Sequence, residues 1–292
     1  MSVLEGSWKH DFITTNGIKL HYITQGEGQL ILMLHGFPEF WYSWRHQIPE
    51  FAKDYKVVAL DLRGYNESDK PKEVEAYVTK ELLKDIEGVI KGLGYESCIL
   101  VGHDWGGLIA WNFAYDYPQM VDKLIVLNIA HPAKISDGLR TPQQLLKSLY
   151  MFFFQVPFLP EFVLQANDYQ LIGSIFTNTM VDKSAFTQSD LEAYKDAAAK
   201  RGALTAMLNY YRNISREIFQ NFQKSWGVLE VPTLMIWGEN DAALGKELTY
   251  KTEAFVRNLT IKYIPNCSHW VQQEQPQLVN QYIREFLESS QG

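Results

Sequence analysis

Residues 102–107 read GHDWGG, directly after the apolar run 97–101 and directly before the apolar stretch 108–117. Glycines around such a strand-to-helix junction allow a tight turn, the nucleophile elbow, which lifts one side chain into the open. That side chain is Asp104, at the position where serine is usual. A carboxylate that attacks an ester carbonyl would give an anhydride, whereas on a strained or activated sp3 carbon it gives a stable alkyl ester. The elbow therefore indicates chemistry that opens C–O or C–halogen bonds.

Asp241 and His269 each follow a predicted strand and complete a second chemical pattern. The chain order is nucleophile, acid and histidine, and a carboxylate that holds an imidazole in one tautomer makes it a general base. Glu239 is the rival for the acid position, but its offset from the strand end suits this role less well. We also expect Asp104 to be ionised, because the elbow places it at a helix N-terminus.

The sequence HGFP at residues 35–38 follows the predicted strand 30–34, at the end of the sheet where open α/β sheets bind ligands. Two backbone N–H groups, those of Phe37 and Trp105, are positioned by this pattern to hold an oxyanion. The alternative is an ordinary strand-to-helix turn that needs Gly and Pro. His103 is interpreted as a residue that shapes the elbow.

These residues require a sheet that brings its strand ends together. Strand-like and helix-like segments alternate along the first third of the chain, which predicts a mostly parallel sheet covered on both faces. The predicted strands are 18–24, 30–34, 57–60, 97–101, 124–128, 231–238 and 260–264, and the predicted helices of this core are 41–53, 79–93, 108–117 and 276–287.

About a hundred residues separate the buried strands 124–128 and 231–238. This stretch has helical patterning at 143–153, 190–199 and 205–211 and no convincing strand. We therefore predict a core domain of residues 1–130 and 228–292 and an inserted helical cap of residues 131–227.

Composition excludes several classes of protein. A net charge of −7 over 292 residues argues against nucleic-acid and anionic-membrane partners, and no apolar run has the roughly 20 residues that a membrane span needs. Cys98 and Cys267 form no disulfide framework, and no cysteine and histidine cluster has metal-ligand spacing. We expect a soluble cytoplasmic protein that acts on small neutral molecules.

Two of the 16 tyrosines, Tyr150 and Tyr211, occur in the predicted cap in suggestive settings. A neutral phenol can hydrogen-bond a developing alkoxide and then protonate it. The residue pattern alone does not single out these two. The apolar segment 151–154 beside Tyr150 is interpreted as cap core, with an interfacial membrane patch as the other possibility.

Over nearly its whole length the chain resembles the epoxide hydrolases of the α/β-hydrolase fold. The matching segments are 35–39, 61–65, 102–107, 150–157 and 210–213, together with Asp241 and His269. The resemblance implies an eight-stranded, mostly parallel sheet flanked by helices, with a helical cap. It also implies that Asp104, His269 and Asp241 are the catalytic triad and that Tyr150 and Tyr211 are the cap tyrosines. Asn66 departs from the family's usual glycine, but asparagine tolerates positive φ.

The resemblance further implies that an epoxide becomes a vicinal diol through an alkyl ester on Asp104, which water activated by His269 then hydrolyses. Neither a cofactor nor a metal is expected. The expected partners are a small apolar epoxide and water, in a monomer or homodimer. For the substrate pocket we predict His35, Pro38 and Trp270.

Two other functions remain open. A haloalkane or haloacid dehalogenase also uses an aspartate at the elbow, and the haloalkane enzymes commonly have asparagine where this chain has Phe37. The tyrosine pair favours an epoxide over a halogenated substrate. A hydrolase-fold receptor or binding module could lack any one of the triad groups, whereas this chain has them all.

Overall fold

The structure is a computed structural model that describes residues 4–221 and 226–289 and, for residues 214–221, the backbone alone. Within these residues eight strands form one sheet, in the order β1-β2-β4-β3-β5-β6-β7-β8. The strands are β1 (Lys9–Thr15), β2 (Ile18–Gln25), β3 (Leu30–Leu34), β4 (Lys56–Leu60), β5 (Cys98–His103), β6 (Val121–Leu127), β7 (Thr233–Gly238) and β8 (Leu259–Ile264). Both pairings of β2, with β1 and with β4, are antiparallel, and all the others are parallel. The predicted mostly parallel sheet is confirmed.

The edge strand β1 is absent from the sequence prediction. Most of its seven residues are exposed, so it carries no apolar run that would indicate a strand. It is held by antiparallel pairing with β2, from Lys9 opposite Thr24 to Thr15 opposite Ile18. Because an antiparallel edge can face water on one side, its sequence is free to be polar.

Helices cover the sheet on both faces. The central strands β3 and β5 are buried at every residue, which requires cover above and below. The helices of this core are α1 (Ile48–Phe51), α2 (Thr79–Gly92), α3 (Asp104–Asp116), α10 (Val271–Glu274) and α11 (Pro276–Glu288). Short 3-10 turns occur at Trp41–Trp44, Val74–Tyr77, Pro118–Met120, Lys246–Thr249 and Thr252–Ala254.

The helix predicted over residues 41–53 is wrong in its extent. The structure has a 3-10 turn at Trp41–Trp44, and the separate four-residue helix α1 follows. Pro49 lies in the first turn of α1, where its missing N–H group is harmless. A continuous helix would place that proline in the interior, where it would break the hydrogen-bond ladder.

Six helices lie between β6 and β7. They are α4 (Pro132–Gly138), α5 (Pro142–Lys147), α6 (Leu149–Phe153), α7 (Leu159–Thr179), α8 (Gln188–Ala199) and α9 (Ala203–Asn221). No strand occurs in the described stretch 128–221. The predicted helix 143–153 is divided at Ser148 into α5 and α6, and α7 is interrupted by left-handed backbone at residues 167–169. The division into a core (1–130 and 228–292) and a cap (131–227) stays a prediction.

Gly106 brings α3 directly against the end of β3. A Cβ atom at this position would lie 2.2 Å from the carbonyl oxygen of Leu34 and 2.5 Å from that of His35. We expect Gly106→Ala to lower the free energy of unfolding by about 1–3 kcal/mol, as overpacking does. Urea unfolding measures the loss. Gly227→Ala is the control, because a Cβ atom there has nothing within 4 Å. Equal unfolding midpoints for the two variants would contradict the prediction.

Candidate active site

The elbow joins β5 to α3, and its backbone holds Asp104 in the left-handed region at φ 48°. This conformation costs a residue other than glycine roughly 1–2 kcal/mol. A Cβ atom on Gly102 would lie 2.5 Å from the carbonyl oxygen of Gly106, so glycine is required where the strand end meets the first helical turn. The Asp104 carboxylate lies at the N-terminus of α3, and its Oδ1 atom accepts a hydrogen bond from the Phe37 N–H group at 2.9 Å.

His269 lies between two carboxylates. Its Nδ1 atom is 2.6 Å from Oδ2 of Asp241, and its Nε2 atom is 3.6 Å from Oδ2 of Asp104. Asp241 and His269 are both buried. The structure therefore brings together the three side chains that the sequence predicted as a triad. Asp241 contacts the nitrogen that points away from Asp104, which is the arrangement that orients an imidazole toward the nucleophile.

Asn128 is a site residue that the sequence analysis did not identify. Its Nδ2 atom donates to Oδ2 of Asp241 at 2.7 Å, while the N–H groups of Ala243 and Leu244 donate to Oδ1 at 2.7 and 2.9 Å. These donors allow Asp241 to be charged although it is buried. The signal that could have found Asn128 is its position immediately after the buried strand β6, at the same edge of the sheet as Asp104.

The charges within the triad shift three pKa values. Burial opposes ionisation of all three groups. Nevertheless, Asp241 and Asp104 raise the pKa of His269 well above its ordinary value, and the pKa values of both carboxyls are lowered mainly by their contacts with His269. Because folding raises the pKa of His269, the stability it contributes is complete below about pH 6.5, its unfolded pKa, and is lost as pH rises through its folded pKa.

Glu39 joins the loops around the triad, and its role was not predicted. The side chain is completely buried and accepts hydrogen bonds from the Gly36 N–H group at 3.0 Å and from Gln273 at 2.7 Å. Its Oε2 atom also lies 2.7 Å from Nδ1 of His103, whose Nε2 atom contacts the carbonyl oxygen of His269 at 2.9 Å. Glu39 therefore connects the Phe37 loop, the elbow and the His269 loop. This contact supports the interpretation that His103 shapes the elbow.

Tyr150 on α6 and Tyr211 on α9 lie side by side, with ring centroids 5.8 Å apart. Tyr211 packs edge-on against Trp105 and Phe37, with centroid distances of 5.0 and 5.3 Å. Desolvation raises the pKa of both phenols, which are therefore neutral at physiological pH. The cap thus presents two neutral hydrogen-bond donors.

Cap side chains fix where these tyrosines lie. Gln155, just beyond α6, donates to the Tyr211 carbonyl oxygen at 2.8 Å and so connects the two tyrosine-bearing segments. On α5, Lys147 donates to the carbonyl oxygen of Asp241 at 2.8 Å, and Gln144 donates to that of Ala243 at the same distance. The cap is therefore hydrogen-bonded to the loop that carries Asp241.

A cavity of about 420 Å³ lies between the triad and the cap. Asp104, His269, Tyr150 and Tyr211 all line it. The remaining wall is mainly apolar and includes Phe37, Phe153, Phe154, Val163, Leu164, Leu171, Ile175 and Trp270. This volume and this lining are typical of sites for small molecules.

Of the three predicted pocket residues, only Trp270 lines this cavity. His35 is fully buried, and both of its ring nitrogens contact backbone groups: Nε2 accepts from the Leu62 N–H group at 3.1 Å, and Nδ1 lies 2.9 Å from the Gly36 carbonyl oxygen. Pro38 is also buried and does not contribute to the wall. His35 therefore braces the Phe37 loop and does not face the cavity.

Trp105 is the second residue of α3. Its N–H group belongs to the first helical turn, where backbone donors have no partner within the helix. The N–H groups of Trp105 and Phe37 are therefore two candidate donors to a negatively charged oxygen next to Asp104. The oxyanion role of the two residues stays a prediction.

Comparison with known proteins places the chain in a family. Residues 29–276 match the family model of the alpha/beta hydrolase fold. Human epoxide hydrolase 4 is 45% identical over 94% of this chain and 77% of its own length, and epoxide hydrolase 1 of Caenorhabditis elegans is 45% identical over 99% and 72%. The solved structure of Bacillus megaterium epoxide hydrolase with an inhibitor is 40% identical, with a TM-score of 0.89 over 95% of this chain and 100% of that one. A mutant of that enzyme has been solved with its product, a naphthyloxy-propane-1,2-diol.

The sheet order, the elbow and the family match define a member of the α/β-hydrolase fold. Within that fold, the chain belongs to the epoxide hydrolases, because relatives more than 40% identical over most of both chains carry that name. The resemblance inferred from the sequence is confirmed.

The described residues contain no group of three or more His, Cys, Asp or Glu side chains that could hold a metal ion. Cys98 and Cys267 are free and buried, and burial raises the pKa of both thiols. None of the helices in residues 4–221 and 226–289 is long and apolar enough to cross a membrane.

We expect Asp241→Asn to lower the pKa of His269, because the charge of Asp241 is a main cause of its rise. The imidazole should then lose its proton at a lower pH, which NMR titration of the His269 ring signals measures. Glu239→Gln is the matched control: this carboxylate belongs to the same loop but pairs with Lys246. An unchanged midpoint in Asp241→Asn, or an equal change in Glu239→Gln, would contradict the assignment.

Proposed function

We propose that this protein hydrolyses epoxides to vicinal diols in two steps, through an alkyl ester on Asp104. One observation carries the proposal: two neutral phenols, 5.8 Å apart, line the same cavity as a carboxylate at the elbow. Opening an epoxide requires a nucleophile for the carbon and a proton for the oxygen, and this cavity holds both. The family membership supports the same activity.

In the first step, Tyr150 and Tyr211 donate hydrogen bonds to the epoxide oxygen. Asp104 attacks a ring carbon, so that a carbon–oxygen bond forms to the carboxylate while the ring carbon–oxygen bond breaks. The alkoxide takes a proton from one of the tyrosines. The lowered pKa of Asp104 keeps the nucleophile ionised, and the raised pKa values of the phenols keep the acids protonated.

In the second step, His269 removes a proton from water, which attacks the ester carbonyl of Asp104. The N–H groups of Phe37 and Trp105 stabilise the oxyanion that forms. Esterification itself prepares the base. It removes the charge of Asp104, one cause of the raised pKa of His269, so the imidazole becomes easier to deprotonate when a base is needed. Collapse of the oxyanion breaks the bond between the ester carbonyl carbon and the substrate oxygen, and that oxygen takes the proton held by His269 to complete the diol. The proton left on the Asp104 carboxyl group returns to the tyrosinate, which regenerates the carboxylate and the phenol.

The dehalogenase alternative is less well supported. A halide ion leaves without a proton, so that reaction does not need the two phenols as acids. A binding module without catalysis would likewise leave unused the 2.6 Å contact between Asp241 and His269 and the hydrogen bonds that support it.

We propose apolar epoxides with an aryl or alkyl substituent as the substrate class. The cavity wall is mainly apolar, and the product bound by the Bacillus megaterium enzyme carries a naphthyl group. Each charge that develops in the two steps has a partner among the five site residues and two backbone N–H groups, so the proposed mechanism uses no cofactor or metal. A cytoplasmic location and a monomeric or homodimeric state complete the proposal.

His269→Gln should accumulate the ester, because the first step does not use this base. After incubation with styrene oxide, we expect the intact mass of the variant to increase by the mass of one substrate molecule. Asp104→Ala should form neither adduct nor diol. His46→Gln, which changes an exposed histidine outside the cavity, serves as the control and should turn over normally. If His269→Gln turned over normally, another residue would have to be the general base of the second step.

Tyr150→Phe and Tyr211→Phe should each slow alkylation of Asp104 by roughly 100-fold, the size of a typical acid contribution. Single-turnover kinetics with styrene oxide measure this step apart from ester hydrolysis. Tyr95→Phe is the matched control, because its hydroxyl donates to the carbonyl oxygen of Gly28 and its ring does not line the cavity. If both cap variants alkylate at the wild-type rate, the tyrosines have no part in the mechanism. Bromide release from a bromoalkane without any diol formation would favour the dehalogenase.

A further inference from the structure

The cap exposes several large apolar side chains to solvent along one segment of the chain. We call this region the apolar cap surface, formed by six residues of α5, α6, the start of α7 and the turn between them. They are Leu146, Leu149, Phe152, Phe158, Leu159 and Phe162, and each is between 47% and 84% exposed. Single exposed apolar residues are ordinary, whereas six large ones within 17 positions of the chain are a feature typical of interaction surfaces.

The backbone at Phe158 adds a second observation. This residue precedes α7 with φ 63°, in the left-handed region, and its side chain is 84% exposed. An aromatic residue rarely adopts this conformation, because its Cβ atom crowds the backbone. Within the chain the ring gains little packing in return. Strain of this kind is typical of binding surfaces.

The charge of this segment differs from that of the whole chain. Residues 146–162, which span this surface, contain one basic residue, Lys147, and one acidic residue, Glu161, and so have no net charge, although the chain has a net charge of −7. Lys147 donates to the Asp241 carbonyl oxygen and Glu161 pairs with Arg212, so both side chains are engaged within the chain. An apolar, aromatic surface without net charge suits the boundary between lipid headgroups and acyl chains. The negative charge elsewhere favours a zwitterionic lipid over an anionic one.

The apolar cap surface is continuous with the cavity. Helix α6 carries both, because Tyr150 and Phe153 line the cavity while Leu149 and Phe152 are exposed. On α7, Leu171 lines the cavity and is itself 42% exposed. A ligand dissolved in a phase that covers this surface would therefore be next to the cavity without first entering water.

We propose that the apolar cap surface docks on zwitterionic phospholipid bilayers and admits apolar epoxides from the bilayer to the cavity. The second part rests on the proposed function, whereas the docking does not. A second copy of the chain is the other occupant that an apolar face could have. It would cover the cavity rim at Tyr150 and Leu171 and hinder substrate entry, whereas a lipid phase supplies the substrate.

The test is co-sedimentation with phosphatidylcholine vesicles. We expect the wild-type protein to bind and the double variant Leu146→Glu with Phe152→Glu to bind at least tenfold less, because neither carboxylate is tolerated in the acyl region. Both positions lie outside the cavity wall. The matched control, Val228→Glu, introduces a carboxylate at a 48% exposed valine outside the apolar cap surface and should bind like the wild type.

Turnover separates this proposal from the proposed function. With styrene oxide in water, wild type and double variant should have equal kcat and KM. With a long-chain alkyl epoxide delivered in vesicles, the double variant should be at least tenfold slower.

Equal vesicle binding by the wild type and the double variant overturns the docking. A wild-type dimer in sedimentation velocity that the double variant dissociates also overturns it, because the surface then holds a second copy. If the wild type forms no diol from styrene oxide in water, the proposed function is refuted, but the result of the vesicle-binding experiment still holds.

Discussion

Two carboxylates, the partly exposed Asp104 and the buried Asp241, flank the imidazole of His269, and the surrounding structure is arranged to tolerate their charge. Burial opposes the ionisation of both, so each needs hydrogen-bond donors that do not move away. Asp241 has Asn128 and two backbone N–H groups, while Asp104 has the Phe37 N–H group and the N-terminus of α3. The loops at the carboxyl ends of β3, β5, β6, β7 and β8 are therefore mutually dependent.

This constraint explains why the elbow is both strained and closely packed. Asp104 has a left-handed backbone, and Gly102 and Gly106 allow contacts that any Cβ atom would prevent. Glu39 then holds three of the surrounding loops through its hydrogen bonds. The cap contributes two neutral phenols, and desolvation raises their pKa values above the ordinary value of a phenol. The Asp104 carboxylate and these two neutral side chains line the same cavity.

Much of the core could be predicted from the sequence, because buried parallel strands are apolar runs that end in glycine or polar residues. Strand β3 was predicted with its observed bounds, and β5 and β7 within two or three residues. The errors occur where periodicity carries little information. Strand β1 is exposed, the helix predicted at 41–53 is interrupted near Pro49, and α7, with its left-handed interruption, was not predicted. His35 was assigned to the pocket because it lies beside the Phe37 loop, but its ring contacts backbone groups.

Local turn chemistry and periodicity were enough to predict from the sequence that Asp104 is presented at the elbow and that Asp241 and His269 follow the ends of strands. The folded chain was needed to find that Asn128 donates a hydrogen bond to Asp241, which lies 113 positions away, and that Glu39 contacts the His269 loop through His103. The fold also shows that Tyr150 and Tyr211, out of the 16 tyrosines in the sequence, lie side by side. Such contacts depend on strand register and on how the cap packs, which no local pattern of residues specifies.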